Sequence, residues 1–378
     1  MLYRRMNKLP TDLSILGFGC MRLPVKNNGS IDEKQATAML RYAIDHGVNY
    51  VDTAYPYHNG QSEPFVGRAL QNGYRDKVYL ATKLPSWLIK SRADMDHYLD
   101  EQLKRLQTDH IDFYLVHGLM NPIWENLKAL DVTRFLDDAI DDGRIKYAGF
   151  SFHDELALFK EIVDAYDWTF CQIQYNFFDE HYQAGTEGLR YAADRGLGIV
   201  VMEPLRGGML SKDIPSINNI WQKAPSRRSP TEWALKWVWN HPEVTVVLSG
   251  MSNFGQVKQN LAFAEDGLPN SLSSEELTIF REAEDEYKKR IQIPCTGCRY
   301  CMPCSANVSI PECFEIYNQG CMFDSPNVAK YNYSFLGGMF GSPGFASQCQ
   351  ECGECEEKCP QGISIREQLK KVVAYFGK

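Results

Sequence analysis

Eight short runs rich in β-branched and aromatic residues alternate with longer amphipathic stretches: 15–19, 50–53, 78–82, 111–116, 145–150, 170–175, 198–202 and 244–248. Apolar runs of this length read as strands buried on both faces. Segments such as 32–46, 92–106, 154–166 and 230–240 begin on polar, Pro or Ser residues and read as helices. Repeating strand and helix eight times predicts an α/β chain folded as a (β/α)8 TIM barrel. The competing architecture, an open doubly wound sheet, wants a Gly-x-Gly-x-x-Gly turn after an early strand. Gly17-Phe18-Gly19 comes nearest and lacks the third glycine. A barrel takes about 250 residues, and the chain has 378, which leaves room for a second domain.

That remainder carries Cys295-x2-Cys298-x2-Cys301-x2-Cys304 and Cys349-x2-Cys352-x2-Cys355-x3-Cys359-Pro360. A four-iron, four-sulfur cubane needs one cysteine sulfur per iron, so these eight thiolates suffice for two clusters. The runs resemble those of two-cluster bacterial ferredoxins, where the last cysteine of each run ligates the other run's cluster. The resemblance implies one set of Cys295, Cys298, Cys301 and Cys359, and a second of Cys349, Cys352, Cys355 and Cys304. Structural zinc is the alternative, but it usually takes only two cysteines from each such run. The first run departs from the ferredoxin pattern, since Cys304 follows after two residues and precedes Ser305 rather than proline. Cys313 and Cys321 stand as replacements for Cys304 or as buried small hydrophobes.

A charged helix expected from 273 to about 290 precedes Pro294, so the domains divide as a barrel over 1–290 and a ferredoxin-like domain over 291–378. Between the runs, 305–348 reads as loop-rich, with turns at Gly337-Gly338 and 341–344; Tyr331, Tyr333, Phe335 and Phe340 indicate that it packs over something. A formal charge of −8 with mixed signs gives no basic footprint for nucleic acid. No stretch approaches the roughly 20 apolar residues of a membrane span. Only Cys20 and Cys171 lie outside the C-terminal region, an arrangement suited to a reducing cytoplasm.

In a (β/α)8 barrel, polar groups past the C-terminal strand ends line the active site. Here Asp52 and Tyr57 follow the second strand, Lys83 the third and His117 the fourth. With LGFGCMRLP (16–24), VDTAYPYHNGQSE (51–63), ATKLP (81–85), DFYLVHGL (112–119), GRIKYAGFS (143–151) and VTVVLSGMSN (244–253), this resembles the aldo/keto reductases over about residues 1–285. The resemblance implies an oxidoreductase that reduces a carbonyl to an alcohol with NADP(H) or NAD(H). Tyr57 is the expected general acid, its phenol lowered by Lys83, which Asp52 holds; His117 orients the carbonyl.

The family pattern further implies cofactor contacts from Met21, Ser151, Gln172, Leu205, Gly207, Gly250, Ser252, Gln256 and Asn260, with Gln174 as the fallback for Gln172. Relatives commonly have Asn after the serine, whereas this chain has Phe152. Gly250 and Gln256 stand where many relatives place a lysine and an arginine for the adenosine 2′-phosphate, leaving Arg206, Arg227 or Arg228 to substitute. Arg22, Trp87, Leu119 and Phe152 are candidates to line a substrate pocket. A nicotinamide moves two electrons and a four-iron cluster one, and no flavin motif is evident. Three readings therefore stand: a carbonyl reductase with structural or regulatory clusters, an enzyme whose clusters exchange electrons with ferredoxin or another carrier, and a nicotinamide-sensing module.

Overall fold

A computed structural model describes residues 1–336 and 344–377 and contains a closed barrel of eight parallel strands. An antiparallel hairpin, β1 (Tyr3–Arg5) and β2 (Asp12–Ser14), comes first. The barrel follows as β3 (Leu16–Gly19), β4 (Tyr50–Asp52), β5 (Tyr79–Leu84), β6 (Ile111–Leu119), β7 (Ile145–Phe152), β8 (Phe170–Gln174), β9 (Gly198–Met202) and β10 (Val244–Ser249). These strands run round the barrel in chain order, and β10 pairs back onto β3. Each overlaps one of the eight expected runs, because a strand buried on both faces must be apolar at nearly every position.

The hairpin closes one end of this barrel. Met6, Leu9 and Leu13 cluster with Tyr50, Phe113, Phe170 and Val246, and each fully buried side chain of this size contributes about 1.5–3 kcal/mol. A Cβ on Gly198 would lie 2.4 Å from Met6, so only glycine admits the plug at that point. The opposite, C-terminal strand ends carry the polar groups described below.

The chain divides into two compact units, Met1–Pro204 with Glu232–Leu272, and Leu205–Thr231 with Ser273–Lys378. In the second, helix Ser274–Lys288 starts on a capping box between Ser273 and Glu276 and packs Phe280 against Trp221, ring centroids 5.2 Å apart. The segment 305–348 is not loop-rich within the described residues: it holds helices Ile310–Met322 and Pro326–Ser334. Pro311 and Pro326 each occupy a helix's first turn, where proline loses no hydrogen bond. Tyr333 stacks on Phe376 of helix Ile365–Phe376, centroids 4.1 Å apart. The expected turns at Gly337-Gly338 and 341–343, and Phe340, lie outside the described residues. Among the described residues no helix is long and apolar enough to cross a membrane.

Candidate active site and cluster cavities

Lys83, on β5, has a side chain only 1% exposed. Its Nζ donates to both carboxylate oxygens of Asp52, on neighbouring β4, and to Thr53 O, each at 2.8 Å. Burial pulls the ammonium down, but Asp52 and then Tyr57 outweigh it and hold Lys83 above its ordinary value. Lys83 Nζ lies 5.1 Å from the centre of the Tyr57 ring, and that ring meets His117 edge-on with centroids 6.4 Å apart. Thus Asp52, Lys83, Tyr57 and His117 come together at the C-terminal strand ends.

The phenol differs from expectation. Burial pushes Tyr57 above its ordinary value, and the downward pull of Lys83 recovers only part of that rise. Burial, with Lys83 and His153 adding to it, drives His117 well below its ordinary value, so the imidazole is neutral at pH 7. Its Nδ1 is buried without a partner among the described residues. Trp87 packs on the same ring at 5.2 Å between centroids.

His117 sits at a break in β6, where pairing with β7 shifts register between Val116 and Leu119. Gly118 adopts φ 61°, the left-handed region that glycine enters without strain, and its N–H donates to Ser151 Oγ at 2.7 Å. Ser151→Ala leaves that donor unpaired and is expected to cost about 1–2 kcal/mol in chemical denaturation. A variant as stable as wild type would show that the bulge holds itself.

Ser151 and Gln172 are register partners on β7 and β8. Ser151 already accepts a bond from Gly118, so its own proton is free to donate. Gln172 is 2% exposed and its Oε1 is buried without a partner among the described residues. One donor and one acceptor side by side match a primary carboxamide, which accepts through oxygen and donates through nitrogen. Gln174, in contrast, donates to Asp179 Oδ2 at 2.9 Å.

Past β10, Asn253 caps helix Phe254–Phe263 by accepting from Gln256 N, and the Gln256 side chain turns back to accept from Ser252 N at 2.7 Å. Ser252 Oγ donates to Arg22 O at 3.0 Å, and the Arg22 stem lies beside Gly250. Asn260 donates to Ser249 Oγ, while Met21 is 45% exposed. Leu205 and Gly207 belong to the second unit, around the short helical turn Arg206–Ser211. There Arg206 lies over the Phe323 ring and Arg228 pairs with Glu276. Leu119 and Phe152 are buried register partners.

Sequence reading overlooked His58, which accepts from Leu23 N at 3.2 Å, and the Asn253 cap. The latter had a signal, an Asn followed three residues later by Gln. Buried Glu63 and Gln102 behind β5 were also overlooked.

In the second unit the cysteines ring two cavities. Cys304, Cys349, Cys352 and Cys355 line one, together with Ser305, Lys358 and Arg366. Cys295, Cys298 and Cys359 line another, together with Arg299 and Phe314. Cys301 and Ile310 face both. Among the described residues no three His, Cys, Asp or Glu side chains converge as a single metal ion requires. Cys313 lines neither cavity; its Sγ, buried, donates to Gly344 O at 3.4 Å. Cys321, half-buried, lines neither as well.

Comparison with known proteins agrees with both halves of this description. The sequence profile "Aldo/keto reductase family" matches residues 15–285, and "4Fe-4S dicluster domain" matches 294–364. The uncharacterized oxidoreductase YqkF of Bacillus subtilis is 26% identical over 75% of this chain and 98% of its own length. A probable voltage-gated potassium channel subunit beta of Arabidopsis thaliana is 26% identical over 71% of this chain and 92% of its own length. The solved holo form of aldo-keto reductase AKR11C1 from Bacillus halodurans superposes with a TM-score of 0.62 at 28% identity, over 75% of this chain and 96% of that one. The chain therefore belongs to the aldo/keto reductase family, as an oxidoreductase whose barrel is followed by a C-terminal 4Fe-4S domain.

Proposed function

We propose that the protein is a nicotinamide-dependent carbonyl reductase with a catalytic group of Asp52, Tyr57, Lys83 and His117. The observation that carries this reading is the buried Lys83 ammonium, held by Asp52 and facing the Tyr57 ring beside a neutral imidazole. A bound nicotinamide supplies the hydride to a carbonyl carbon, or takes it back from an alcohol. Ser151 and Gln172 hold its carboxamide, as their complementary free donor and acceptor suggest. His117 donates to the carbonyl oxygen and orients it. Tyr57 delivers its proton to the same oxygen as negative charge develops there, and Lys83 stabilises the phenolate left behind. Asp52 keeps Lys83 charged throughout.

The past-β10 segment bears on cofactor choice. Gln256 is engaged with Ser252 N, and Gly250 offers no side chain to a 2′-phosphate. Losing charge-assisted bonds of that kind forfeits about 1.5–3 kcal/mol each. NADH is accordingly expected to bind at least as tightly as NADPH in parallel fluorescence titrations. A tenfold advantage for NADPH would require cations elsewhere.

In the C-terminal domain, 291–378 in this reading, the crossed cysteine sets would hold two four-iron clusters at these cavities, and 1–290 acts as the barrel. A reducing cytoplasm fits twelve cysteines of which none forms a disulfide. Exposed Cys298 and Cys352, one beside each cavity, favour a second reading in which a ferredoxin-type carrier exchanges electrons with the clusters. Anaerobically purified protein, assayed with both nicotinamides against a panel of aldehydes and ketones, tests the main reading. Turnover that survives serine replacement of cluster ligands supports it. Turnover only with reduced ferredoxin overturns it in favour of the second.

A further inference from the structure

Helix Arg92–Leu106 buries Met95, Leu99, Gln102 and Leu106, a stripe at helical spacing with one amide among apolar side chains. A buried amide without partners costs several kcal/mol, so its bonds decide why it is tolerated. Gln102 Nε2 donates to Glu63 Oε1 at 2.6 Å and to the backbone oxygen of Lys83 at 2.9 Å; its Oε1 accepts from Tyr114 OH at 2.8 Å. Glu63, itself fully buried, also accepts from Thr82 Oγ1 at 2.7 Å. Successive side chains on a strand point to opposite faces, so Thr82 meets this network behind β5 while Lys83 faces the barrel interior.

Glu63 belongs to the short helix Ser62–Ala69, which also reaches the adjoining strand end. Ser62 Oγ bonds Thr53 Oγ1 at 2.9 Å, and Thr53 O is one of the three acceptors of Lys83 Nζ. Ser62 and Glu63 thereby grip β4 and β5 at the two points that determine where the ammonium sits. Fully satisfied buried networks of this kind are rigid, whereas a leucine at position 102 would fill the space without fixing the strand.

We propose that Gln102 and Glu63 are positioning residues for Lys83: they lock the backbone of β5 from behind so that the ammonium stays aligned with Tyr57. This rests on the assignment of Lys83 and Tyr57 to the catalytic group. Neither Gln102 nor Glu63 touches substrate or cofactor in this reading, so their loss affects rate and spares binding.

The test uses the full-length, cluster-loaded protein with 4-nitrobenzaldehyde as probe substrate. Gln102→Leu is expected to lower kcat about tenfold or more, because small misplacements of a catalytic group carry costs of that order. KM for the aldehyde and Kd for the nicotinamide stay within about twofold, unlike the joint decline that general loosening of the fold produces. Glu63→Gln keeps an acceptor oxygen for Thr82 and Gln102 and retains more kcat than Glu63→Leu. A readout free of turnover is the 13Cζ resonance of Tyr57 in tyrosine-labelled protein, identified by its disappearance in Tyr57→Phe. It is expected to move in Gln102→Leu at constant pH. Wild-type kcat with an unmoved resonance overturns the proposal, as does a Glu63→Gln variant as slow as Glu63→Leu. If Gln102→Leu does not fold, the near-isosteric Thr82→Val gives the same decision. Full turnover in Tyr57→Phe would instead remove the underlying site assignment, a result separate from any of these.

Discussion

Replacing Tyr57 by Phe is expected to lower carbonyl turnover about 10²–10⁴-fold, the usual contribution of a positioned general acid. The substitution preserves the ring that meets His117 edge-on and lies 5.1 Å from Lys83 Nζ, so only the O–H is removed. Nicotinamide affinity stays unchanged, since Ser151 and Gln172 lie on other strands and keep their environment. Stopped-flow turnover paired with a binding titration separates the two effects; a fully active variant would end the assignment. The pH profile carries further information. With Tyr57 held above the ordinary phenol value by burial, free enzyme loses its proton donor only at strongly alkaline pH. His117, held far below its ordinary value, leaves no acid limb near 6.5 in kcat/KM. The unfolded chain binds the His117 proton more readily than the folded one, so this residue makes stability fall as pH drops below about 6.5.

Removing Cys359 should empty the cavity otherwise lined by the first cysteine run. Two four-iron clusters correspond to about eight iron and eight sulfide per chain, and Cys359→Ser is expected to retain about half of each. Cys304→Ser is expected to lose the other half, because Cys304 shares its cavity with Cys349, Cys352 and Cys355. Cys313→Ser and Cys321→Ser keep the full complement, as neither side chain lines a cavity. Iron and sulfide analysis, with EPR of the reduced variants, distinguishes these outcomes. A full complement in Cys359→Ser would mean that Cys359 is not a required cluster ligand.

The barrel was legible because its strands are buried on both faces and show as apolar runs whatever their neighbours. The hairpin was not. Arg4 and Arg5 disguise β1, and Arg4 is there to bond the backbone oxygens of Trp239, His241, Val244 and Gly267, partners more than two hundred residues away. The bulge at His117 and Gly118 leaves no mark on periodicity, and the register pairing of Ser151 with Gln172 is invisible until strands are aligned. Lys83 and Asp52 stood out as charges at strand ends. The rise in the Tyr57 phenol could not be read, since it depends on how deeply the loop after β4 is enclosed. Gln102 did carry a signal, a polar residue on the buried stripe of its helix, but a lone amide there tells nothing of what it holds.

The chain passes between its two units at 204/205, returns at 231/232 and leaves again at 272/273. No single cut can therefore release either unit whole. Within the second unit, Arg206 lies over Phe323, and Phe323 in turn packs against Tyr287 with centroids 5.0 Å apart. A protein shortened at 290 would take Phe323 away from both. In gene architecture the cysteine-bearing tail is consequently no removable cassette. Relatives lacking the tail are expected to differ from this chain between 205 and 231, the stretch that shares a compact unit with it.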